Sequence, residues 1–458
     1  MLPRGYFALQ RASQCISLAS LISPALRLGP PDARPPFSSR QRPPLRRNYS
    51  ALVDDGFVDR VERLDKYTPG GFHPVLVGDR IHNRYEVIDK LGYGGWSTVW
   101  LVHDSHMQRY LALKVGIADS LPREVPILRA LSAQPKAQNL GFDSIPHLLD
   151  EFTVSGPNGS HPCYTTALAL CNLRECSSSR LFYLDVARAM AYELVLAVAY
   201  VHSQNFVHGV HSQSSIDKVS IPQFRKEYGE PESYKVERRD GQPLTPNVPS
   251  IVTVPLYMGK KAKEFTLRDA RIILSDFGES YSPGTDVRLG KNCHTPVDFR
   301  PPEAHFEPDT PLSFSADIWS LATAIWDIVG MRALFSSAFY SDKQVMCQIV
   351  DIIGPLPDHW YENWKDRDEF FDRDGQPKES RHVWPEIGQA FRNRVQKFRG
   401  EANMVELCVE EEAAFLDMMK RMLKYRPEER YTVQQVLECD WMVKWARSNF
   451  ERSRLSQA

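Results

Sequence analysis

The feature that most constrains the fold is a glycine-rich turn set between runs of strand-forming residues. β-Branched, aromatic and aliphatic residues fill three short runs, at residues 85–88, 97–102 and 110–115. The first two runs are joined through Gly92, Gly94 and Gly95. Because this turn leads into a strand and not into a helix, it disfavours Rossmann and Walker sites. It favours a flap whose backbone N–H groups cover phosphates.

A lysine and two acidic residues supply side chains that such a flap needs. Lys114 lies between apolar residues of the third run, and Glu124 opens a helical pattern ten residues later. An ion pair between them would hold the lysine on the α- and β-phosphates of a nucleotide. Asp276 follows an apolar strand and precedes Phe277 and Gly278. In that position a carboxylate suits Mg²⁺ bound across the β- and γ-phosphates.

The rest of the chain predicts an α+β fold in two lobes, because strand patterns come first and helical patterns follow. Helical apolar spacing covers residues 185–202 and dominates residues 313–447. Residues 222–264 are polar and rich in Pro and Gly, which predicts an exposed insert. The chain has 458 residues, 42% of them hydrophobic and 25% charged, which is typical of soluble globular proteins. No apolar run reaches the ~18 residues that cross a bilayer, so no membrane association is expected.

In this order and spacing, the motifs resemble those of protein kinases, from about residue 67 to residue 447. Residues 66–79 and the glycine turn are similar to those of the SR-protein kinases, of the CMGC group, in their short fungal branch. The resemblance implies a small antiparallel-sheet lobe, a larger helical lobe, and ATP and Mg²⁺ as cofactors. It also implies transfer of the γ-phosphoryl group to Ser in basic, Arg/Ser-rich protein substrates. A buried pair of Glu303 and Arg430 would brace the larger lobe, and Asp317 would anchor the catalytic-loop backbone.

The resemblance also assigns site residues and boundaries. The metal ligand would be Asp276, and the nucleotide would be bound by Leu91, Gly92, Gly94, Ser97, Val99, Ala112, Lys114 and Glu124. The chain would divide into a lead-in segment at 51–81, a small lobe at 82–171, a large lobe at 172–447 with a spacer at 217–264, and a tail at 448–458.

The catalytic loop departs from the family. The pattern His-[Arg/Gly]-Asp-Leu-x-x-x-Asn supplies an Asp that accepts the substrate proton and an Asn that holds a second Mg²⁺. Here His208 and Gly209 are followed by Val210, which stands where the Asp is expected. The Asn position falls on Ser215, or on Ser214 if one residue is missing. No intact catalytic residue is therefore predicted in this loop.

Three explanations remain open for this loop. The gene model could contain an error at an exon boundary, so that residues of this loop are missing from the chain. The chain could be a pseudokinase that binds Mg-ATP and acts as a scaffold. It could also be a weak kinase that uses Asp217 or His211 as a substitute base. Gly209 in the place of the loop Arg, which reads a phosphate in other kinases, predicts no dependence on activation-loop phosphorylation, at Thr285 or Thr295 for example.

Residues 1–50 have a composition of their own. They hold eight Arg, seven Ser and one acid, Asp32, as mitochondrial transit peptides do. A mitochondrial location is expected if they act as a presequence; the alternatives are a disordered basic tail and a cytoplasmic or nuclear protein. The other residues carry 48 basic and 56 acidic side chains, an excess that suits basic substrates and gives no reason to expect direct nucleic-acid binding. A monomer is expected.

A third class of function is a small-molecule kinase of the aminoglycoside-phosphotransferase type. It would share the two-lobed fold and a His-Gly-Asp loop. The Pro-Pro-Glu segment at 301–303, the CMGC-like insert at 348–357 and the late Arg430 argue against it.

Overall fold

The computed structural model describes residues 50–52, 60–118, 120, 123–133, 140–172, 181–208, 211–215, 221–238 and 240–456. The expectations for residues 1–49, the presequence among them, lie outside this part of the chain.

Twelve strands are seen in the described ranges. Their bounds are β1 (Ser50–Leu52), β2 (Arg80–Ile81), β3 (Tyr85–Tyr93), β4 (Ser97–Asp104), β5 (Arg109–Gly116), β6 (Asp150–Gly156), β7 (Gly159–Ala167), β8 (Ala169–Asn172), β9 (His211–Ser215), β10 (Ser233–Glu237), β11 (Ile251–Thr253) and β12 (Ile273–Ser275). Six of them form one antiparallel sheet in the order β2-β3-β4-β5-β7-β6. This sheet is the predicted small lobe, and its β3–β4 hairpin carries the glycine turn.

Apart from α1, which lies between β5 and β6, the helices follow the sheet in the chain, as predicted. Their bounds are α1 (Glu124–Ser132), α2 (Leu184–Ser203), α3 (Ile221–Tyr228), α4 (Glu303–Phe306), α5 (Phe314–Gly330), α6 (Asp342–Ile353), α7 (Asp358–Asn363), α8 (Arg367–Phe370), α9 (Ile387–Phe391), α10 (Lys397–Glu401), α11 (Val409–Met422), α12 (Val433–Glu438) and α13 (Arg447–Leu455). Single π-helical turns join α9 to α10 and precede α13. The main core lies between α2 and α5, where Trp319 and Trp326 are fully buried.

The spacer differs from the exposed insert that its composition predicts. Phe224, Leu256 and Met258 are buried in one cluster with Ile88, Leu101 and Tyr110 of the sheet. The Arg225 guanidinium donates to the Asp89 carboxylate at 3.0 Å and to the Ile88 carbonyl. The difference arises because widely spaced apolar residues, each flanked by Pro, Gly or charged residues, leave no periodic signal in the sequence.

The chain end also differs from the expected tail. Residues 447–455 form α13, whose Phe450 packs against Tyr192 of α2. The Arg454 guanidinium donates to the buried Glu193 carboxylate at 3.0 Å. The larger lobe therefore extends past residue 447. No helix in the described part of the chain has the length and apolar character to cross a membrane.

Candidate functional site

The backbone of the glycine turn borders open space. The β3–β4 hairpin is closed by the Gly94 N–H, which donates to the Ser97 carbonyl at 2.9 Å. A Cβ atom added at Gly92, Gly94 or Gly95 would meet no atom within 4 Å. The backbone of the turn can therefore approach a ligand closely, which is the property that a phosphate-covering flap needs.

Lys114 and Glu124 form the predicted ion pair. The Lys114 ammonium lies 2.5 Å from Glu124 Oε2, and both side chains are mostly buried. The second oxygen, Oε1, accepts the Phe277 N–H at 3.0 Å. Burial alone lowers the pKa of Lys114, but the surrounding Tyr164, Glu124 and Asp276 raise that pKa well above its ordinary value. The lysine is therefore a fixed cation at neutral pH.

Asp276 lies in the same cluster as Lys114 and Glu124. Its Oδ1 lies 3.6 Å from the Lys114 ammonium, and its side chain is 62% exposed. Its backbone has φ 71°, the left-handed conformation that a non-glycine residue seldom adopts and that is often found at functional sites. The Asp276 carboxylate therefore faces an accessible space next to a fixed cation.

Among the described residues, no group of three or more His, Cys, Asp or Glu could hold a metal ion by itself. A Mg²⁺ ion at Asp276 would thus take its other ligands from nucleotide phosphates and water, as Mg²⁺ commonly does.

The first half of the catalytic loop is built as the resemblance implies. The His208 N–H donates to Asp317 Oδ2 at 2.7 Å, and the His202 ring lies 3.0 Å from the same oxygen. The His208 carbonyl accepts the Ser280 hydroxyl at 2.9 Å. The His208 ring meets Phe277 edge-on at a centroid distance of 4.4 Å. Asp317 therefore anchors this backbone, as expected.

The second half of the loop is short. Gly209 and Val210 lie outside the described residues, and β9 begins at residue 211. Strand β9 pairs with β12 so that His211 stands opposite Ser275. Ser214 lies within β9 and not in the expected loop, because this strand begins at residue 211 and residues 211–213 pair with β12. The family's Asp-to-Asn spacing has no counterpart between His208 and β9.

The brace of the larger lobe is also present. The Arg430 guanidinium donates to both Glu303 oxygens, at 2.7 and 2.5 Å, and both side chains are buried. It also donates to the carbonyls of Lys424, Ser315 and Tyr425. Arg430 therefore ties the start of α4, which follows the activation segment, to the backbone of Ser315, Lys424 and Tyr425.

The activation segment, residues 276–303, is held by a carboxylate. Glu279 Oε2 accepts from the Arg288 guanidinium at 2.7 Å and lies 2.8 Å from the His294 ring. Arg288 is buried, and its guanidinium stacks over the Tyr281 ring. This carboxylate joins the beginning of the segment to Arg288 and His294 in its middle.

Two features of the site were missed by reasoning from sequence. Tyr164 of β7 stands directly opposite Lys114 of β5. Lys90, just before the glycine turn, is buried against Glu62 of the lead-in segment. Neither has a sequence signal, because each depends on pairing between distant parts of the chain.

Comparisons with known proteins agree with this geometry. The protein kinase domain family matches residues 261–442. A serine/threonine protein kinase of Aspergillus fumigatus is 28% identical over 425 residues, which are 88% of this chain and 96% of that protein. The protein kinase dsk1 of Schizosaccharomyces pombe is 35% identical over 173 residues, 35% of this chain and 32% of its own. Human SRSF protein kinase 3 is 38% identical over 106 residues, 21% of this chain and 18% of its own.

Proposed function

We propose that this chain, whose residues 261–442 match the protein kinase domain family and which is similar in part to human SRSF protein kinase 3, binds Mg-ATP between its lobes. We further propose that it transfers the γ-phosphoryl group to Ser in Arg/Ser-rich protein segments. The observation that carries this proposal is the cluster of Lys114, Glu124 and Asp276, in which Lys114 pairs across the sheet with Val99 of the hairpin that carries the open glycine turn.

Each part of this cluster has a role in holding the nucleotide. The open backbone of the glycine turn covers the phosphates, and Lys114, fixed by Glu124, neutralises the α- and β-phosphates. Asp276 would hold Mg²⁺ together with oxygens of the nucleotide. Bound Mg²⁺ supplies the charge stabilisation that phosphoryl transfer requires.

The substrate class follows from charge. The residues after position 50 carry eight more acidic than basic side chains. Such a surface attracts basic segments and accelerates their association at low salt. Serine flanked by Arg is therefore the proposed acceptor, and the rate of transfer should fall as salt concentration rises.

The short catalytic loop favours a second candidate function, a nucleotide-binding pseudokinase that acts as a scaffold. General-base assistance contributes about 10²- to 10⁴-fold to a rate, so a chain without the loop Asp would transfer slowly or not at all. Nucleotide binding does not need that residue, since Lys114, Glu124 and Asp276 are in place.

The test is an assay of the full chain with radiolabelled Mg-ATP and a repeated Arg-Ser peptide. Asp276→Asn is the site variant, and Asp374→Asn, on an exposed turn, is the matched control. Label on the peptide that is lost with Asp276→Asn and kept with Asp374→Asn supports the kinase. Mg-ATP binding without transfer supports the pseudokinase. Absence of both overturns the proposal.

A further inference from the structure

Two arginines lie close together where the loop after α5 meets the π-helical turn between α9 and α10. Gly330, the last residue of α5, approaches Val395 of this turn so closely that a Cβ atom added at Gly330 would lie 2.8 Å from Val395 Cγ2. Arg332 follows this contact by two residues, and Arg394 precedes it by one. The close approach of the two elements therefore brings both arginines to one place on the larger lobe.

Contacts in both directions show how the two side chains are arranged. Arg394 Nη1 donates to the Leu334 carbonyl at 3.3 Å, so its guanidinium reaches the loop that carries Arg332. The Arg332 guanidinium carbon lies 3.7 Å from the ring centre of Phe398, a cation–π contact. Phe398 is four residues after Arg394, and residues four apart lie on one face of a helical segment. Both guanidinium groups therefore lie on this face.

The two positive charges are not balanced by acidic side chains. Among the residues that the structure describes, no carboxylate forms an ion pair with Arg332 or Arg394, whereas Arg392 of the same turn pairs with Glu412 at 3.3 Å. Arg394 is half-buried, and burial together with the nearby Arg332 lowers its pKa. A charge that is partly removed from water beside a like charge is stabilised when a counter-charge binds.

The C-terminus of α5 does not account for these charges. Cations stabilise the carbonyl end of a helix, but Arg399 already supplies one there. Its Nη2 donates to the Val329 carbonyl at 2.7 Å. Arg332 instead lies over Phe398, and Arg394 donates to a carbonyl beyond the end of the helix.

We propose that Arg332 and Arg394 bind the phosphate group of a phosphoserine on a protein segment. Each guanidinium presents five N–H donors in a fork that fits phosphate oxygens, and one hydrogen bond of Arg394 to the described residues uses only one of them. Phosphoserine carries about −1.5 to −2 charges at pH 7, which two guanidinium groups match. Arg332 is exposed, so a group on another molecule can reach it.

This site is separate from the proposed nucleotide site. The contacts of Arg332 and Arg394 are with Leu334 and Phe398 of the larger lobe, and neither arginine contacts Lys114 or Asp276. The inference therefore does not depend on the proposed function, and each can fail without the other.

The test measures binding of a fluorescent peptide to the full-length protein by anisotropy. The peptide carries one phosphoserine among Ala, Gly and Leu and contains no Arg, so it lacks the features of the proposed kinase substrate. The same peptide without phosphate is the reference ligand. The site variants are Arg332→Gln and the double variant Arg332→Gln with Arg394→Gln. The matched control is Arg392→Gln, which removes one positive charge from the same turn.

We expect the wild type to bind the phosphopeptide saturably, and the reference peptide at least about tenfold more weakly. Arg332→Gln should weaken phosphopeptide binding by about 3- to 10-fold and the double variant by about 10- to 100-fold, as the loss of hydrogen bonds to a charged group implies. Arg392→Gln should bind as the wild type does. Because Arg332 is exposed, its replacement keeps the fold, and an unchanged urea midpoint checks this.

Equal binding of the two peptides, no binding by the wild type, or equal affinity in the wild type and the double variant would overturn the inference. An equal loss in Arg392→Gln would also overturn it, because the peptide would then respond to overall charge. Inorganic phosphate, titrated against the bound peptide, should compete at least about tenfold more weakly than the peptide itself. Competition with the same dissociation constant would show a site for the free ion and overturn the assignment to a protein segment.

Discussion

The Lys90 ammonium and the Glu62 carboxylate form an ion pair that is closed off from solvent. The pair joins the lead-in segment to β3 at the residue that precedes the glycine turn. Burial lowers the pKa of Lys90, and the attraction of Glu62 opposes that change. The same carboxylate accepts a hydrogen bond from the Tyr67 hydroxyl.

Removing one member of this pair should destabilise the chain strongly. Glu62→Leu leaves the Lys90 ammonium buried without its partner, which costs about 3–5 kcal/mol. Replacing both members, as Glu62→Leu with Lys90→Met, should restore most of that loss, since apolar pairs of similar volume are often neutral. Urea unfolding of the full chain measures both. A single variant as stable as the wild type would refute the importance of the pair.

Acid should destabilise the contact of the lead-in segment with β7. Burial and the nearby His161 lower the pKa of His73 from 6.5 to about 4, and the two rings lie 4.7 Å apart. Between those values the unfolded chain binds the extra proton and the folded chain does not, so stability falls as pH drops from 6.5 towards 4. The expected loss is about 1–3 kcal/mol.

The matching variant for this pH effect is His73→Leu, which removes the titrating group. Its free energy of unfolding should depend less on pH between 6.5 and 4 than that of the wild type. Parallel pH curves for the two proteins would show that His73 is not the source.

Because the spacer packs against the sheet, we expect its buried apolar residues to contribute to the free energy of unfolding. Phe224→Ala leaves a cavity between α3 and the sheet and should cost about 3–5 kcal/mol. Phe339→Ala is the matched control, because Phe339 is 80% exposed. Its effect should lie within about 0.5 kcal/mol. Equal unfolding midpoints in urea for the two variants would support an unpacked spacer instead.

The carboxylate of Glu279 predicts how the activation segment responds to mutation. Glu279→Ala removes the partner of the buried Arg288, so the segment should open more often. Tryptic cleavage at Arg288 should accelerate about 5- to 30-fold, as a local loss of about 1–2 kcal/mol implies. Thr295→Glu, a mimic of phosphorylation, should change cleavage by less than about twofold. A large change in the cleavage rate of Thr295→Glu, in either direction, would contradict the expectation that this segment does not depend on phosphorylation.

Much of the site could be predicted from the sequence because its residues occur in short motifs. Lys114 and Glu124 are ten residues apart, and each is placed by its own strand or helix. Glu303 and Arg430 are distant in sequence, and their pairing was expected only through resemblance to kinases.

The buried state of Lys90 could not be predicted, because two irregularities interrupt the β3–β4 pairing on either side of it. A bulge shifts the alternation of inward and outward side chains. As a result Asp89 and Lys90 are both buried although they are adjacent. The simple period of two would have placed one of them in solvent.

The contacts of Tyr164 were missed for a different reason. The register that sets it opposite Lys114 joins strands separated by α1 and β6. No local pattern in the sequence determines such a register. The short catalytic loop, in contrast, could be recognised from the sequence, because the residues after His208 and Gly209 depart from the kinase motif.

We propose that Lys114 binds the phosphates of Mg-ATP, and a titration of the full chain with Mg-ATP measures that binding. Lys114→Met is the site variant, and Lys397→Met, with an exposed side chain, is the matched control. We predict saturable binding by the wild type and by Lys397→Met. Binding by Lys114→Met should be about 10- to 100-fold weaker, which corresponds to the loss of one charge-assisted contact. Equal affinity in Lys114→Met and wild type, or no binding by any of the three, would contradict the claim.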